Sequence, residues 1–509
     1  MTASGTPGRA AIRYGTGPGR WVLAATIGGS SIAFLDSTVV NVALPVLGTD
    51  LQADVAGLQW VLNGYMLALA SLILLAGALG DRYGRRRVFM IGVAWFAGAS
   101  LLCAVAQTVG QLVAARVLQG IGGALLTPGS LSIIQASFVP EDRGRAIGAW
   151  SGVGALAGAL GPFIGGLLID GVGWRSVFLV NLPVAAAVLA VTARHVPESR
   201  DPTVRGELDL TGAVTGALGL GGVTYALIAL GDGGVRPSVL AVAAGGFAAM
   251  AAFVLVERRT SDPMLPLDVF TAPQFTWANV VTFAVYGGMG AVFFLLVVQL
   301  QVVLGYTALQ AGVASLPVTV LLFVLSPRVG DLANRVGPRL PMTAGPIVTG
   351  AGIGLLSMVQ AGDGYLSGVL PPVLLFGAGL GITVAPLTTA VLAAADERHA
   401  GVASGVNNAV ARAAQLLAVA VIPVAVGLTG DAFSNPAVFT DGFARAMLIS
   451  GATVAAGGVL AALTIEGRPT VRVEERRPPV GAHCDLHAPP LRTEVHTGHG
   501  SAPASPPPS

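Results

Sequence analysis

Lysine is absent from this chain: all 28 basic residues are arginine. A phosphate-binding P-loop needs the sequence Gly-Lys-Ser/Thr, so the absence of lysine argues against ATP hydrolysis by this polypeptide. The 26 acidic residues nearly balance the arginines, and the net charge of +2 argues against a nucleic-acid partner. The two cysteines, Cys103 and Cys484, stand in an apolar run and in a polar tail, so no disulfide framework is expected.

Charged residues of either sign are scarce. They make up 11% of the chain, against about 25% in soluble globular proteins, while 53% of the residues are hydrophobic. So much apolar surface would aggregate in water, whereas lipid solvates it. The 70 glycines also suit a bilayer, where small residues let helices approach closely. The composition therefore predicts an all-α integral membrane protein.

Fourteen apolar segments are long enough to cross a membrane, since a bilayer core needs ~20 helical residues. They start near Trp21, Leu58, Val88, Gln111, Gly144, Ser176, Leu208, Ser238, Trp277, Gln310, Leu340, Gly368, Gly401 and Phe443, and the last ends near Ile465. The apolar run after the polar first 20 residues is too long for a cleaved signal peptide, so we expect it to be an uncleaved first helix.

The arginines indicate the orientation of these spans. If the N-terminus is cytoplasmic, 23 arginines fall in cytoplasmic segments, and only Arg175, Arg236 and Arg445 fall outside. Arg116 and Arg412 lie within spans. An odd number of spans would break this asymmetry, so the sequence predicts a multi-pass protein of the cytoplasmic membrane with both termini in the cytoplasm.

The segment 466–509 is rich in proline, serine and histidine, and it is predicted to be a disordered cytoplasmic tail. Its ligand-type side chains, His483, Cys484, His487, His496 and His499, allow a soft-metal site as one interpretation. Their spacing matches no standard zinc pattern, so a solvated tail is favoured. We expect neither a metal site nor a cofactor.

A loop motif occurs twice. Residues 77–87 read GALGDRYGRRR, and residues 333–339 read ANRVGPR, which aligns with residues 80–86 at a separation of 253. The duplication predicts two similar six-helix bundles, with two further helices inserted between them, around a central transport path. The predicted parts are an N-tail (1–20), a first bundle (21–193), a linker with the two inserted helices (194–276), a second bundle (277–465) and the tail (466–509).

Four motifs resemble those of the major facilitator superfamily, specifically its fourteen-helix drug:proton antiporter family. They are residues 35–45 (LDSTVVNVALP), the loop 77–87, residues 116–123 (RVLQGIGG) and residues 154–166 (GALAGALGPFIGG). The resemblance covers about residues 20–465 and implies the major facilitator fold. It also implies a proton-coupling motif in the fourth span. In the fifth span it implies an antiporter motif, associated with export, on Gly158, Gly161, Pro162, Gly165 and Gly166.

Asp36 is the one acidic residue predicted deep within a span. Burial disfavours its charged form and a neighbouring cation favours it, so gaining or losing that cation can move a proton. At 1.5 Å per residue, Asp36 lies ~8 Å below the outer face and Arg116 lies ~7.5 Å below it. We expect the two side chains to interact directly or through Gln119 or Asn41, for proton coupling. A static salt bridge between two helices is the alternative.

Other residues are predicted to gate the path or to line it. Asp81, Arg82, Arg85 and Arg86, around the Gly84 turn, are expected to latch the cytoplasmic ends of the bundles, or simply to hold this loop in the cytoplasm. The predicted substrate cavity contains Arg412, Asn407, Asn408, Trp60 and Tyr65, although packing or contact with lipid is the more common role of such aromatic residues. For Arg412, a structural role satisfied by backbone carbonyls is the alternative. Because no acidic residue is predicted within the last six spans, neutral, zwitterionic or weakly anionic substrates are favoured over divalent cations.

The sequence therefore predicts a proton-coupled antiporter that exports amphipathic small molecules by alternating access. Its expected partners are that substrate, protons and membrane lipids, and it is expected to work as a monomer. An exporter of lipids or cell-envelope precursors on the same scaffold is the alternative. A non-transporting sensor is disfavoured by the charged residues within the spans. An enzyme is least expected, since the chain has no Gly-x-Ser-x-Gly or His-Glu-x-x-His motif.

Overall fold

The computed structural model describes residues 12–200, 208–260, 263–394, 400–430, 432 and 435–467. Fourteen long helical segments fill these ranges: α1 (Gly17–Asp50), α2 (Val55–Tyr83), α3 (Arg85–Val105), α4 (Val109–Ser137), α5 (Pro140–Gly171), α6 (Ser176–His195), α7 (Leu210–Gly233), α8 (Pro237–Arg259), α9 (Pro273–Val298), α10 (Ala308–Val336), α11 (Arg339–Leu356), α12 (Leu370–Ala393), α13 (Ala400–Ala425) and α14 (Pro436–Thr464). π-Helical turns extend α9 to Val303 and begin α12 at Tyr365. The histidine-containing tail lies outside the described residues.

Thirteen of these helices are long and apolar enough to cross a membrane. The fourteenth, α11, coincides with the eleventh predicted span and has 18 residues. Arg339 and two prolines lower its hydropathy, and its glycines allow close packing. Gly352 lies against the backbone of Phe376 in α12, and Gly350 lies against Gly451 in α14. Protein rather than lipid therefore covers this face of α11.

The first six and the last six helices pair in the same way. In the first half, α2 and α3 pack on α4, and α1 packs on α5 and α6. In the second half, α10 and α11 pack on α12, and α9 packs on α13 and α14. The halves meet along two seams, α2 against α13 and α5 against α10. The helix pairings thus show the same internal duplication as the loop motif.

The duplicated loop has the same geometry in both halves. Gly84 and Gly337 have φ values of 111° and 90°, which favour glycine. Arg86 donates a 2.8 Å hydrogen bond to the Ala193 carbonyl of α6, and Arg339 donates one of the same length to the Ala462 carbonyl of α14. Each loop therefore ties the start of the third helix of its half to the end of the sixth.

The inserted helices form a hairpin in which α8 packs on α7. The other face of α7 packs on both α2 and α13, where Trp60 of α2 meets Tyr225 with ring centroids 6.2 Å apart. The hairpin thus covers one of the two seams between the halves.

Hydrogen bonds join the halves at the outer face, which we define as the end of the bundle where α1 ends. Gln59 of α2 donates to the Val419 carbonyl at 2.6 Å, Gln301 donates to the Val42 carbonyl at 2.9 Å, and the Leu309 amide donates to Asp170 at 3.0 Å. The inner face is the opposite end, where α1 begins. The two halves are thus fastened to each other at their outer ends.

Candidate functional site

The candidate site is built around an ion pair in the first half. Arg116 Nη1 of α4 lies 2.6 Å from Asp36 Oδ2 of α1, and both side chains are at most 1% exposed. A charge at this depth is costly unless it is paired and hydrogen-bonded. The arrangement therefore depends on the groups that surround the pair.

Gln119, one helical turn after Arg116, joins the two charges. Its Oε1 accepts a 2.6 Å hydrogen bond from Arg116, and its Nε2 donates to Asp36 Oδ1 at 2.8 Å. Nε2 also lies 2.8 Å from the Ser100 hydroxyl of α3. Residues three apart lie on one face of a helix, so α4 presents the cation and the amide together.

Two further polar residues complete this network, and sequence reasoning did not place them in it. Asn181 of α6 donates to Asp36 Oδ1 at 3.1 Å and to the Ser100 hydroxyl at 3.3 Å. Asn181 starts the second part of α6, just after the helix breaks at Val180. The Asp36 carboxylate thus accepts from Arg116, Gln119 and Asn181, and we call these residues with Ser100 the Asp36 network.

Asn41 lies outside the Asp36 network, since Asp36 and Arg116 are joined directly and through Gln119, two of the three predicted routes. Its Nδ2 donates to the Ser37 carbonyl of its own helix at 3.2 Å. Five residues along an α-helix correspond to a rotation of ~140° from the starting side chain, which turns Asn41 away from the face that carries Asp36.

Arg116 is also held from its other side. Its Nε donates to the Val61 carbonyl of α2 at 3.2 Å, and its guanidinium lies 4.4 Å from the ring centroid of Tyr65 and 5.9 Å from that of Phe178. Aromatic faces stabilise a desolvated cation. Tyr65 is 1% exposed in this contact, so it supports the ion pair and does not line an open cavity.

The Asp36 network predicts different effects for substitutions of Asn181, which belongs to it, and of Asn41, which does not. Asn181→Ala should lower the free energy of unfolding by about 1–2 kcal/mol, because Asp36 loses a buried hydrogen-bond donor. The melting temperature of the purified protein in detergent measures this loss. Asn41→Ala is the matched control and should have a clearly smaller effect. Equal melting temperatures for the two variants would contradict the membership of Asn181 in the network.

The predicted cavity residues separate into two groups. Asn407 of α13 is engaged inside the second half, donating to Thr282 at 2.8 Å and to Asn279 at 3.2 Å on α9. Trp60 packs on the inserted hairpin, as described above. Arg412 is half-buried, 3.5 Å from Gln415 Oε1, and Asn408 is exposed. Of the five predicted cavity residues, Asn408 is thus exposed, Arg412, Asn407 and Trp60 are half-buried, and Tyr65 is buried.

Arg412 lies near the junction of the two halves. Its helix, α13, packs on α2 of the first half and on α9 of the second. The helices of the second half run further than predicted and include Asp331 in α10 and Asp441 in α14. Both acids are exposed and close to helix ends, so within the described parts of the last six helices no acidic residue lies deep in a span beside Arg412.

Residues 26–419 match the family described as Major Facilitator Superfamily. The chain belongs to this superfamily. It is similar to the "Multidrug resistance protein Stp" of Mycobacterium tuberculosis, with 37% identity over 76% of this chain and 72% of that protein. It is also similar to the "Tetracenomycin C resistance and export protein" of Streptomyces glaucescens, with 34% identity over 85% of this chain and 79% of that protein.

Solved transporters of the Major Facilitator Superfamily share the fold. A bacterial homolog of the human lysosomal transporter Spinster, in an inward-facing and occupied conformation, superposes with a TM-score of 0.64. The match has 16% sequence identity and covers 89% of this chain and 98% of that one. The fold class predicted from the sequence, an all-α membrane protein of the major facilitator type, is thus confirmed.

The superfamily's loop after α2 is tied to its own half of the molecule. Arg85 pairs with Asp81 at 2.8 Å, and the Glu198 carboxylate beyond α6 accepts from the backbone amides of Arg86 and Arg87 at 3.1 and 3.2 Å. Glu198 thereby caps the N-terminus of α3, an interaction that the sequence did not predict. The role of this loop, including Arg82, as a latch between the halves stays a prediction.

The predicted antiporter motif on α5 lies between α1, which carries Asp36, and the second half. On one side of α5, Thr38 of α1 donates to the Gly158 carbonyl at 3.0 Å, and Gly161 and Gly165 face Thr38 and Val39. On the other side, Gly166 lies against Leu309 of α10, and the Pro162 carbonyl lies against Gly312. The motif therefore packs on both α1 and α10.

Proposed function

We propose that this chain is a proton-driven antiporter that exports amphipathic small molecules across the cytoplasmic membrane, with both termini in the cytoplasm. The resistance and export proteins to which it is similar support the export of drug-like compounds. The observation that carries proton coupling is the buried Asp36–Arg116 pair. It provides a titratable group inside the membrane whose charge state changes the packing of α1 against α4.

The proposed coupling step follows from the hydrogen bonds of Asp36. In the charged state, the carboxylate accepts from Arg116, Gln119 and Asn181. Protonation removes the negative charge that balances Arg116 and adds an O–H donor where the three neighbouring groups already donate, so it weakens the contact between α1 and α4. Loss of the proton restores the contact. Proton uptake and release are thereby linked to helix movement.

A movement of α1 can be transmitted to the second half through α5. Thr38, two residues after Asp36, is bonded to α5, and the antiporter motif of α5 packs on α10 at the outer face. The conformation described here, with the halves fastened at their outer ends, is in our proposal the inward-facing state. Protonation of Asp36 from the outer side, once the α5–α10 seam is open, would then shift α1 and close that seam, and loss of the proton to the cytoplasm would return the charged state that can reopen it with bound substrate.

The proposed substrate class follows from the charges of the second half. Arg412 is half-buried at the junction of the halves, and Asp331 and Asp441 are exposed near helix ends. A cation without a deep acidic partner attracts anionic or polar groups and repels cations. We therefore propose that the substrates are neutral, zwitterionic or weakly anionic amphipaths. The other partners in this proposal are protons and membrane lipids, and the transporter works as a monomer.

Accumulation measurements in pump-deficient cells test this function. Cells that express the protein should exclude a subset of amphipathic dyes and antibiotics, tetracenomycin C being one member of the panel because a similar protein is named for its export. A protonophore should abolish the exclusion. Exclusion that survives the protonophore would contradict proton coupling. Full accumulation of every compound, with membrane insertion confirmed, would contradict export of this substrate class.

A further inference from the structure

A second pair of buried acids lies far from the Asp36 network, at the inner end of the inserted hairpin. Asp209 precedes α7 and is 8% exposed, and Glu257 lies near the end of α8 and is 3% exposed. Each carboxylate uses one oxygen in a backbone hydrogen bond. Asp209 Oδ1 accepts from the Gly212 amide at 2.7 Å, and Glu257 Oε2 accepts from the Leu265 amide at 3.0 Å.

The other oxygen of each carboxylate lies beside Gly212. Asp209 Oδ2 and Glu257 Oε1 are both buried without a hydrogen-bond partner among the described residues. A methyl group on Gly212 would lie 2.8 Å from Glu257 Oε1 and closer still to Asp209 Oδ2. Two buried carboxylates cannot both stay charged with these oxygens unpartnered. Desolvation and the repulsion between the two negative charges both disfavour that state.

No nearby arginine among the described residues neutralises the two carboxylates. Arg258 and Arg259 follow Glu257 on α8, but both are exposed and neither forms an ion pair with the two acids. The connector after α8 contributes Asp268, which is also exposed. Arg205 and Glu207 lie outside the described residues.

We propose that Asp209 and Glu257 bind one proton between Asp209 Oδ2 and Glu257 Oε1, as a hydrogen-bonded carboxylic acid and carboxylate. The proton supplies the donor that the two oxygens lack and removes one of the two negative charges. The pair then fastens the chain entering α7 to the connector leaving α8, through the Gly212 and Leu265 amides. The inserted hairpin is thus a second proton site, independent of Asp36 and of the proposed transport cycle.

Proton release from this pair leaves two adjacent charges and loosens both ends of the hairpin. The folded protein holds this proton more tightly than the unfolded chain, so its stability falls as pH rises through the range in which the proton is lost. We expect the melting temperature of the purified full-length protein to fall by a few degrees from about pH 5.5 to about pH 9. Glu257→Gln keeps a donor toward Asp209 at every pH and should flatten this profile.

Infrared difference spectra of the same samples give a second readout. The wild-type protein should lose the band of a protonated carboxyl group over this pH range, and Glu257→Gln should lack that component. Asp209→Asn should behave in the same way if Glu257→Gln does not fold, since asparagine also caps a helix. Asp268→Asn removes an exposed acid of the same connector and should match the wild type in both measurements.

Three outcomes would contradict the shared proton. One is the same pH profile and the same carboxyl band in wild type, Glu257→Gln and Asp209→Asn. Another is a wild-type protein whose stability rises over this range, which would indicate a paired anion. The third is stabilisation by Na⁺ or Mg²⁺ at high pH that Glu257→Gln abolishes, since a metal ion would then occupy the pair.

Discussion

Asp36→Asn should abolish accumulation of substrate against a gradient while leaving the folded protein in the membrane. Asparagine has the shape of aspartate and keeps an oxygen that can accept from Arg116, but it cannot carry a proton. We expect proton-driven uptake into inverted membrane vesicles to fall to below about 1% of wild type, because Asp36 is the acid that the account places at the coupling site. Substrate binding and downhill movement should persist.

Two comparisons separate lost coupling from lost stability. Asp50→Asn changes the same residue type in the same helix, but this side chain is 48% exposed in its pair with Arg175, so transport should stay within about twofold of wild type. Asp36→Asn combined with Arg116→Gln removes both buried charges and should recover stability relative to Asp36→Asn without recovering coupling. Normal uphill uptake by either Asp36 variant would contradict the assignment.

Gly166→Val should prevent the outer ends of the two halves from closing. A methyl group at Gly166 would collide with the backbone of Leu309 in α10, and backbone cannot move aside as a flexible side chain can. We expect transport to be lost and the protein to be held with its outer side open. A cysteine placed at Thr38, between Asp36 and α5, should then react with a membrane-impermeant maleimide about 10-fold faster than in the unaltered background.

The same substitution elsewhere in α5 provides the control. Gly148 has no neighbouring atoms within 4 Å of an added methyl group, so Gly148→Val introduces the same β-branched residue without a collision. It should leave both labelling and transport close to wild type. Unchanged labelling in Gly166→Val, together with normal transport, would contradict the role of this contact in closing the outer side.

The depth of Asp36 and Arg116 along their helices could be predicted from the sequence. Asp36 and Arg116 were matched by counting residues from the outer face. In the structure, Ser100 lies five residues before the end of α3 and Asn181 lies five residues after the start of α6, each ~7.5 Å along its helix from the outer end. A search for polar residues near the outer ends of the spans would therefore have included Ser100 and Asn181.

Direction around a helix was harder to predict than depth. Asn41 and Asp36 share a helix but not a face, and Trp60 points to the inserted hairpin, whose position against α2 no sequence pattern indicated. Periodicity is weak in spans that are apolar on all sides, so it does not tell which face meets protein. Glu198, Asp209 and Glu257 were missed for another reason. They lie near span ends, where a charged residue is ordinarily solvated.

The most direct test of proton coupling is proton movement itself, measured with the purified protein in liposomes that contain a pH-sensitive dye. A substrate gradient imposed across the membrane, with no initial pH difference, should drive protons in the opposite direction through the wild-type protein. In Asp36→Asn liposomes, substrate should still cross downhill but the internal pH should stay constant. Equal proton movement in both proteins, or substrate movement through the wild type without any pH change, would contradict the account.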